Sequence, residues 1–203
     1  MKTRVISAIV GLLVLAAVVY AGKAAIGTAV FLLAVIAIHE LFKAFEKIGF
    51  KPVYTVGYVS CLLLLCPVIP GIYSASGGIA DISGFLITEA IVLFLIIVVM
   101  FCLLMFSDGK YKIEDVSVTL FGIIYVVFLF SFVTLTRNMR NGYLYIWMIF
   151  IGAWATDTFA FFTGVTIGKK KIVPRISPKK TLEGSIGGVI GCTAAMLAFG
   201  AYI

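Results

Sequence analysis

The chain has 203 residues, of which 63% are hydrophobic and 12% are charged, and its formal net charge is +7. A soluble domain averages about 45–50% apolar and about 25% charged residues, so this composition excludes an ordinary soluble protein. The length predicts one membrane domain over residues 1–203. We expect no nucleic-acid partner, because basic loops are typical of the cytoplasmic side of membrane proteins.

Seven apolar runs come near the length of about 20 residues that a membrane-spanning helix needs. We therefore predict an all-α fold, a polytopic integral membrane bundle of about seven transmembrane helices. The runs are Val5–Ala21, Ala24–His39, Tyr54–Ile72, Phe85–Phe106, Val116–Leu135, Leu144–Ile167 and Gly184–Ile203. Glu114 and Asp115 come just before the fifth run, where acids favour the dipole of a starting helix.

The basic residues of the loops predict the orientation. Alternate loops and the N-terminus together hold 13 Lys and Arg residues on one side of the membrane, against 3 on the other. Cytoplasmic segments carry the excess of basic residues. We therefore expect the N-terminus and the loop after the sixth run to face the cytoplasm, from a cell inner or plasma membrane.

Asp157 lies well inside the sixth run, twelve residues before Lys169, which is about 18 Å along a helix. An ionised carboxylate in hydrocarbon costs at least a few kcal/mol, so Asp157 should face the bundle interior or a wet cavity. Acids at such positions are functional by default. The alternative is that Asp157 has only a structural role and its carboxylate pairs with a polar group on another helix.

A basic loop follows the sixth run. Its six cations are Lys169, Lys170, Lys171, Arg175, Lys179 and Lys180. Anionic lipid attracts basic loops in any case. Ser177-Pro178 resembles a helix start, with Ser as the N-cap and Pro at the first position, which would place two lysines in the first turn. Cations beside free backbone N–H groups at a helix N-terminus form an anion site, usually for phosphate.

Two more polar groups and a set of glycines complete this stretch. Thr181 adds a hydroxyl, and Glu183 could hold a lysine or a metal ion, or serve as a base. The pairs Gly184/Gly188 and Gly187/Gly191 allow close helix approach in lipid, and close approach to a ligand is the alternative. The residues together indicate a cytoplasm-facing polyphosphate site with a nearby acid. An acid beside phosphates is a suitable site for Mg²⁺.

Two blocks of this stretch resemble the phosphatidate cytidylyltransferase, or CDP-diacylglycerol synthase, family. One is Trp154-x-x-Asp157-x-x-Ala160-Phe161-Phe162-x-Gly164, and the other is Ser177-Pro178-Lys179-Lys180-Thr181-x-Glu183-Gly184. Arg4 and the stretch Thr119–Tyr125 are also similar to the family, so the resemblance covers nearly the whole chain.

The resemblance implies an enzyme that transfers the cytidylyl group of CTP to phosphatidic acid, giving CDP-diacylglycerol and pyrophosphate with Mg²⁺ as cofactor. It implies a membrane lipid environment and leaves a homodimer open. We assign catalysis to Asp157, Lys179, Lys180 and Glu183, and metal binding to Asp157. We assign substrate binding to Arg175, Ser177, Lys179, Lys180 and Thr181.

The chain departs from the family pattern in two ways. Phe159 and Phe161 stand where the family usually has Gly and Tyr, and a later acidic signature does not follow before Ile203. We therefore expect the 203-residue chain to be C-terminally incomplete, and to bind its substrates weakly with little activity. The alternatives are a CTP-dependent polyprenol or phytol kinase, a transporter of phosphorylated solutes and a catalytically incomplete remnant.

Overall fold

The structure, a computed structural model, describes the backbone of residues 2–65, 79–172, 174–175 and 177–203, and the side chains of 10–64, 82–172, 174–175 and 177–203. Every regular element in these ranges is a helix, and the one other backbone pairing there is an isolated antiparallel bridge. The predicted all-α class is therefore confirmed.

Seven helices, numbered here in chain order, account for the regular structure of the described ranges. They are α1 Lys2–Ala21, α2 Lys23–Lys47, α3 Tyr54–Leu65, α4 Ile79–Phe106, α5 Ile113–Asn138, α6 Gly142–Thr166 and α7 Leu182–Tyr202. Five of them (α2, α4, α5, α6 and α7) are long and apolar enough to cross a membrane. The described apolar parts of α1 and α3 are shorter. The chain is an integral membrane protein with several spans.

Each predicted run falls on one helix, but the helix ends differ from the ends of the runs. Helix α2 continues past His39 to Lys47, because Phe42 carries the apolar stripe onward and is fully buried. Helix α4 begins at Ile79, before the predicted Phe85. The third run was predicted to reach Ile72, which lies outside the described residues. Hydropathy marks where lipid contact ends, whereas a helix ends where its backbone hydrogen bonds end.

The chain forms two compact units, Met1–Gly142 and Tyr143–Ile203, so the single domain predicted for residues 1–203 stays a prediction. In the first unit, α2 packs against α1, α3 and α5. The ring of Phe42 fills the space between α2, α3 and α5. A Cβ atom at Gly57 on α3 would lie 2.6 Å from this ring, and one at Gly122 on α5 would lie 2.5 Å from it. Glycine at both positions lets the three helices close around one aromatic side chain.

The start of α5 is fixed by a carboxylate. Asp115 accepts hydrogen bonds from the backbone N–H of Lys112 at 2.9 Å and from that of Lys51 at 2.6 Å. One acid thereby satisfies a free N–H group at the helix start and ties the α2–α3 connection to α5. The predicted helix-start role of Glu114 and Asp115 is confirmed, because both lie in the first turn of α5.

The first unit also buries an acid that sequence analysis did not single out. Glu89 on α4 is only 2% exposed, and its carboxyl group interacts with the side chain of Ser131 on α5. Phe85 and Phe132 pack beside this pair with ring centroids 5.9 Å apart. Ser131 follows a π-helical segment, Ile123–Phe128, and its hydroxyl donates to the Phe128 carbonyl at 2.7 Å.

In the second unit, α6 and α7 approach each other along small residues. A Cβ atom at Gly184 would lie 2.9 Å from the Ala160 carbonyl oxygen, and one at Gly188 would lie 3.0 Å from the Thr156 carbonyl oxygen. On the same helix, Gly187 leaves room for the side chain of Thr163, and Gly191 leaves room for that of Phe159. The packing role predicted for these glycines is confirmed.

Candidate functional site

A pocket of about 970 Å³ lies within the second unit, between α6, the basic loop and the start of α7. Its size is near the upper end of the range typical of ligand pockets. Five of the residues predicted for the site line this pocket together: Asp157, Ser177, Lys179, Lys180 and Thr181. The structure therefore brings together the acid of the sixth run and the Ser-Pro-Lys-Lys-Thr block, which are 20 residues or more apart in the sequence.

Helix α7 begins later than predicted. Its N-cap is Thr181, whose hydroxyl accepts a hydrogen bond from the Gly184 N–H at 3.2 Å. Ser177 instead begins a turn, in which its carbonyl oxygen accepts from the Lys180 N–H at 3.3 Å. The predicted helix start at Ser177-Pro178 is therefore wrong. Lys179 and Lys180 precede the helix, and its first turn carries the acid Glu183, as the helix dipole favours.

The reason for the late start is a pairing across the basic loop. Lys171 and Thr181 form an antiparallel bridge, with bonds from Ile172 N–H to the Lys180 carbonyl at 3.2 Å and from Leu182 N–H to the Lys170 carbonyl at 2.8 Å. Such a bridge needs extended backbone, and Thr181 has φ −114° and ψ 154°. A helix cannot include a residue held in this conformation.

Glu183 lies away from the pocket that holds Asp157. Its carboxylate accepts hydrogen bonds from the backbone N–H of Lys169 at 3.0 Å and of Lys170 at 3.2 Å. It also borders an apolar groove on the opposite side of the α6–α7 contact, beside Thr163 and Ile167. The catalytic role predicted for Glu183 stays a prediction, and the structure does not join Glu183 to the other site residues.

Asp157 lines the pocket from α6, so the expectation that it faces a cavity is met. The described residues contain no cluster of three or more His, Cys, Asp or Glu side chains that could enclose a metal ion. Mg²⁺ is commonly held by one or two carboxylates together with substrate phosphates. The donors of this pocket, one carboxylate among hydroxyls, fit a magnesium ion shared with a phosphate ligand.

The charge of the pocket favours an anionic ligand. Among its described lining residues are three lysines, Lys171, Lys179 and Lys180, against the single acid Asp157. Cations concentrated in a cleft attract phosphates and raise their local concentration. Arg175 is exposed in the same loop and does not line the pocket, so its predicted substrate contact stays a prediction.

The two aromatic departures from the family pattern lie on different faces of α6. Phe161 lines the pocket, where it supplies an apolar wall beside Ala160 and Val165. Phe159 faces the other way and packs over Gly191 of α7. Only the change at position 161 therefore alters the pocket itself.

Lys171 is a charged lining residue that was not assigned to the site from the sequence. Three consecutive lysines, Lys169–Lys171, cannot be told apart by composition. The bridge to Thr181 distinguishes them, because residues that face each other across an antiparallel pair project to the same side. Thr181 lines the pocket, and Lys171 does so with it.

The site is thus a cationic, hydroxyl-lined pocket with one carboxylate, carried by two helices long and apolar enough to cross a membrane, and its charge suits an anionic ligand such as a phosphate. The family model described as "Cytidylyltransferase family" matches residues 2–203 of the chain. The chain belongs to this family.

Curated relatives share its sequence over most of its length. A phosphatidate cytidylyltransferase of Staphylococcus haemolyticus is 31% identical over 190 residues, which is 94% of this chain and 68% of the relative. The phosphatidate cytidylyltransferase of Bacillus subtilis is 28% identical over 193 residues, with the same two shares. That of Staphylococcus aureus is 31% identical over 189 residues, 93% of this chain and 68% of the relative. These matches do not favour the kinase or transporter alternatives.

Proposed function

We propose that this chain transfers the cytidylyl group of CTP to phosphatidic acid, giving CDP-diacylglycerol and pyrophosphate at the cytoplasmic face of a cell inner or plasma membrane. One observation carries the proposal. In a chain that the cytidylyltransferase family matches from end to end, the pocket joins Asp157 to Lys179, Lys180 and two hydroxyl groups.

The reaction is a displacement at phosphorus. An oxygen of the lipid phosphate forms a bond to the α-phosphorus of CTP, and the bond from that phosphorus to the oxygen bridging the β-phosphate breaks. The electron pair leaves with pyrophosphate, so negative charge grows on the leaving group. Lys179 and Lys180 are placed to balance this charge, because charge neutralisation and positioning supply most of the catalysis in phosphoryl transfer.

The hydroxyl groups orient the phosphates. The Thr181 oxygen accepts the Gly184 N–H, and its own proton is available to a phosphate oxygen. Ser177 lines the same wall, and its hydroxyl can donate in the same way. Arg175, in the exposed turn of the loop, is proposed to attract the substrates as they approach.

Asp157 is the residue proposed to hold Mg²⁺ together with the substrate phosphates. Bound there, the ion would supply positive charge to phosphate oxygens in the transition state. The carboxylate also limits the net positive charge of the pocket, which helps release of the pyrophosphate product. A homodimer is proposed as well, and the mass of the purified protein in detergent would test it.

The test uses two labels of CTP in parallel. The purified chain in detergent is given phosphatidic acid, Mg²⁺ and CTP labelled with ³²P at either the α- or the γ-phosphate. Cytidylyl transfer carries the α-label into lipid and the γ-label into pyrophosphate. A lipid kinase would instead carry the γ-label into lipid. If neither label reaches lipid, the proposed activity is wrong for this chain, and the expectation of little activity from these 203 residues is met.

Asp157→Asn gives the matching variant. It should lower the Mg²⁺-dependent appearance of α-label in lipid by about 100-fold or more, the scale of losing a few kcal/mol of transition-state charge stabilisation. Asp108→Asn is the control, since Asp108 is an exposed turn residue in the first unit. Near wild-type turnover of Asp157→Asn, with an unchanged unfolding temperature, would make Asp157 a structural acid.

A further inference from the structure

We propose that Lys171 is a phosphate-binding residue of this pocket, and that Glu183 is a positioning residue that holds it there. The inference rests on the proposed function and deepens it, because it assigns a third cation to the site and a separate task to the acid beside it. Its ligand class is the polyphosphate of a nucleotide.

The bridge to Thr181 fixes the direction of the Lys171 side chain. The bonds that flank the bridge run from Ile172 to Lys180 and from Leu182 to Lys170, so Lys171 and Thr181 form a non-hydrogen-bonded pair. In such a pair the two side chains stand on the same face, with Cβ atoms about 4.5–5.5 Å apart. The hydroxyl of Thr181 and the ammonium stem of Lys171 therefore border the same part of the pocket.

Lys171 differs from its neighbours Lys169 and Lys170 in the direction of its side chain. Successive residues of an extended segment point to opposite faces, so Lys170 projects away from the pocket that Lys171 borders. The described lining of the pocket includes Lys171 and does not include Lys169 or Lys170. The three lysines of this loop thus carry the same charge, and Lys171 is the one that stands on the side of the pocket.

The carboxylate of Glu183 fixes this register. The carboxylate of Glu183 accepts the N–H groups of Lys169 and Lys170, the two residues just before Lys171. These bonds tie the end of α6 to the first turn of α7 and leave the Lys171 side chain free for a ligand. Extended backbone is exposed in this loop, and such charge-assisted bonds are among the stronger ones available to hold it.

The principal experiment compares two neighbouring lysines. Binding of CTP to the purified chain in detergent is measured for Lys171→Ala and for the matched control Lys170→Ala. We expect about a tenfold or greater loss of affinity for Lys171→Ala, the usual effect of removing a charged hydrogen-bond donor. Lys170→Ala should change affinity by less than about twofold, apart from the general loss of loop charge.

A second experiment tests the positioning role. Glu183→Ala should weaken CTP binding several-fold in the wild-type background and have little effect once Lys171 is alanine, because the two residues act through one path. Glu183→Gln should lose less affinity than Glu183→Ala, since its amide oxygen still accepts an N–H. A Glu183→Gln variant that binds CTP normally but has lost turnover would make Glu183 a catalytic acid and overturn this role.

The possible failures can be told apart. If Lys170→Ala and Lys171→Ala weaken binding equally, the loop acts only as a diffuse basic surface, and the inference fails while the proposed function stands. If the wild-type chain binds neither CTP nor inorganic tripolyphosphate, both fail. If Glu183→Ala and Lys171→Ala have additive effects, the positioning role of Glu183 fails. The assignment of Lys171 then depends on the comparison of Lys171→Ala with Lys170→Ala.

Discussion

The carboxyl group of Glu89 is the most deeply buried acid in the described part of the chain. One of its oxygens, Oε2, has no hydrogen-bond partner among the described residues, and the Thr134 hydroxyl on α5 is in the same state. A charged carboxylate without a partner in an apolar interior is costly, whereas a neutral group of the same shape is much less so. Glu89 therefore suits the role of a neutral polar link between α4 and α5 better than that of a charged link.

Two substitutions of Glu89 separate shape from charge. Glu89→Gln should leave the free energy of unfolding in detergent unchanged or raise it by about 1 kcal/mol, because the amide keeps the shape of the carboxyl group and carries no charge into the apolar interior. Glu89→Ala should lower it by about 1–3 kcal/mol through the cavity that the lost side chain leaves. Glu114→Gln, at an exposed acid, is the control. A loss from Glu89→Gln as large as that from Glu89→Ala would show that the charge itself is needed.

At the residue scale, the chemical types of the site were predictable and their partners were not. Asp157 could be found because a single acid far inside an apolar run is expensive there. Glu89 carried the same signal, four residues into the fourth run. Neither residue's surroundings follow from that signal, because sequence does not say which helices will pack beside it. Lys171 needed the cross-loop pairing to be told from Lys170.

The contact between α6 and α7 depends on backbone atoms meeting backbone atoms. At Gly188 an added Cβ would lie 3.0 Å from both the Thr156 carbonyl oxygen and the Ala160 Cβ. A larger side chain would push the helices apart and widen the pocket that they carry. In lipid, small residues at such contacts supply much of the association between helices.

Gly188→Val tests this contact against a matched glycine. We expect it to lower the free energy of unfolding by about 1–3 kcal/mol, the usual cost of overpacking, and to weaken CTP binding as well. Gly200→Ala is the control in the same helix, where an added Cβ meets nothing within 4 Å. It should be neutral or stabilise the helix by up to about 1 kcal/mol. Equal effects at the two positions would mean that the helices do not meet at Gly188.

Helix boundaries were harder to predict than helix positions. Each apolar run became a helix because a backbone in lipid must satisfy its own hydrogen bonds. The start of α7 was misplaced because Ser-Pro is a sound local signal, but a pairing with Lys171 ten residues earlier holds Thr181 extended. Local sequence does not encode that pairing. The acid at Glu183 agreed with the later start, since acids favour the first helical turn.

For the whole molecule, orientation in the membrane is open to a direct test. The imbalance of 13 to 3 basic residues predicts that the N-terminus and the basic loop share the cytoplasmic side. We expect Lys170→Cys, in a variant lacking the four native cysteines, to react with an impermeant thiol reagent only after cells are opened. A cysteine introduced at Asp108 serves as the second reporter, since the fourth loop is predicted to lie on the same side. Labelling of position 170 in intact cells would reverse the predicted orientation.

Composition and hydropathy predicted the class of the whole molecule because they report directly on the solvent that each segment meets. They could not predict the two units of the chain, which depend on which helices contact one another. The family resemblance located the site in the second unit. Its geometry then came from one bridge, one carboxylate clamp and one glycine contact, none of which hydropathy records.

The ring of Phe42 has a consequence for how sequences of this kind can diverge. It is fully buried, and it fits only because Gly57 and Gly122, on two other helices, have no side chains. We therefore expect these three positions to change together. A lineage that acquires alanine at either glycine needs a smaller residue at position 42, and one that loses the ring releases both glycines from constraint. Covariation among these three columns would trace the contact through descent, independently of any selection on the pocket.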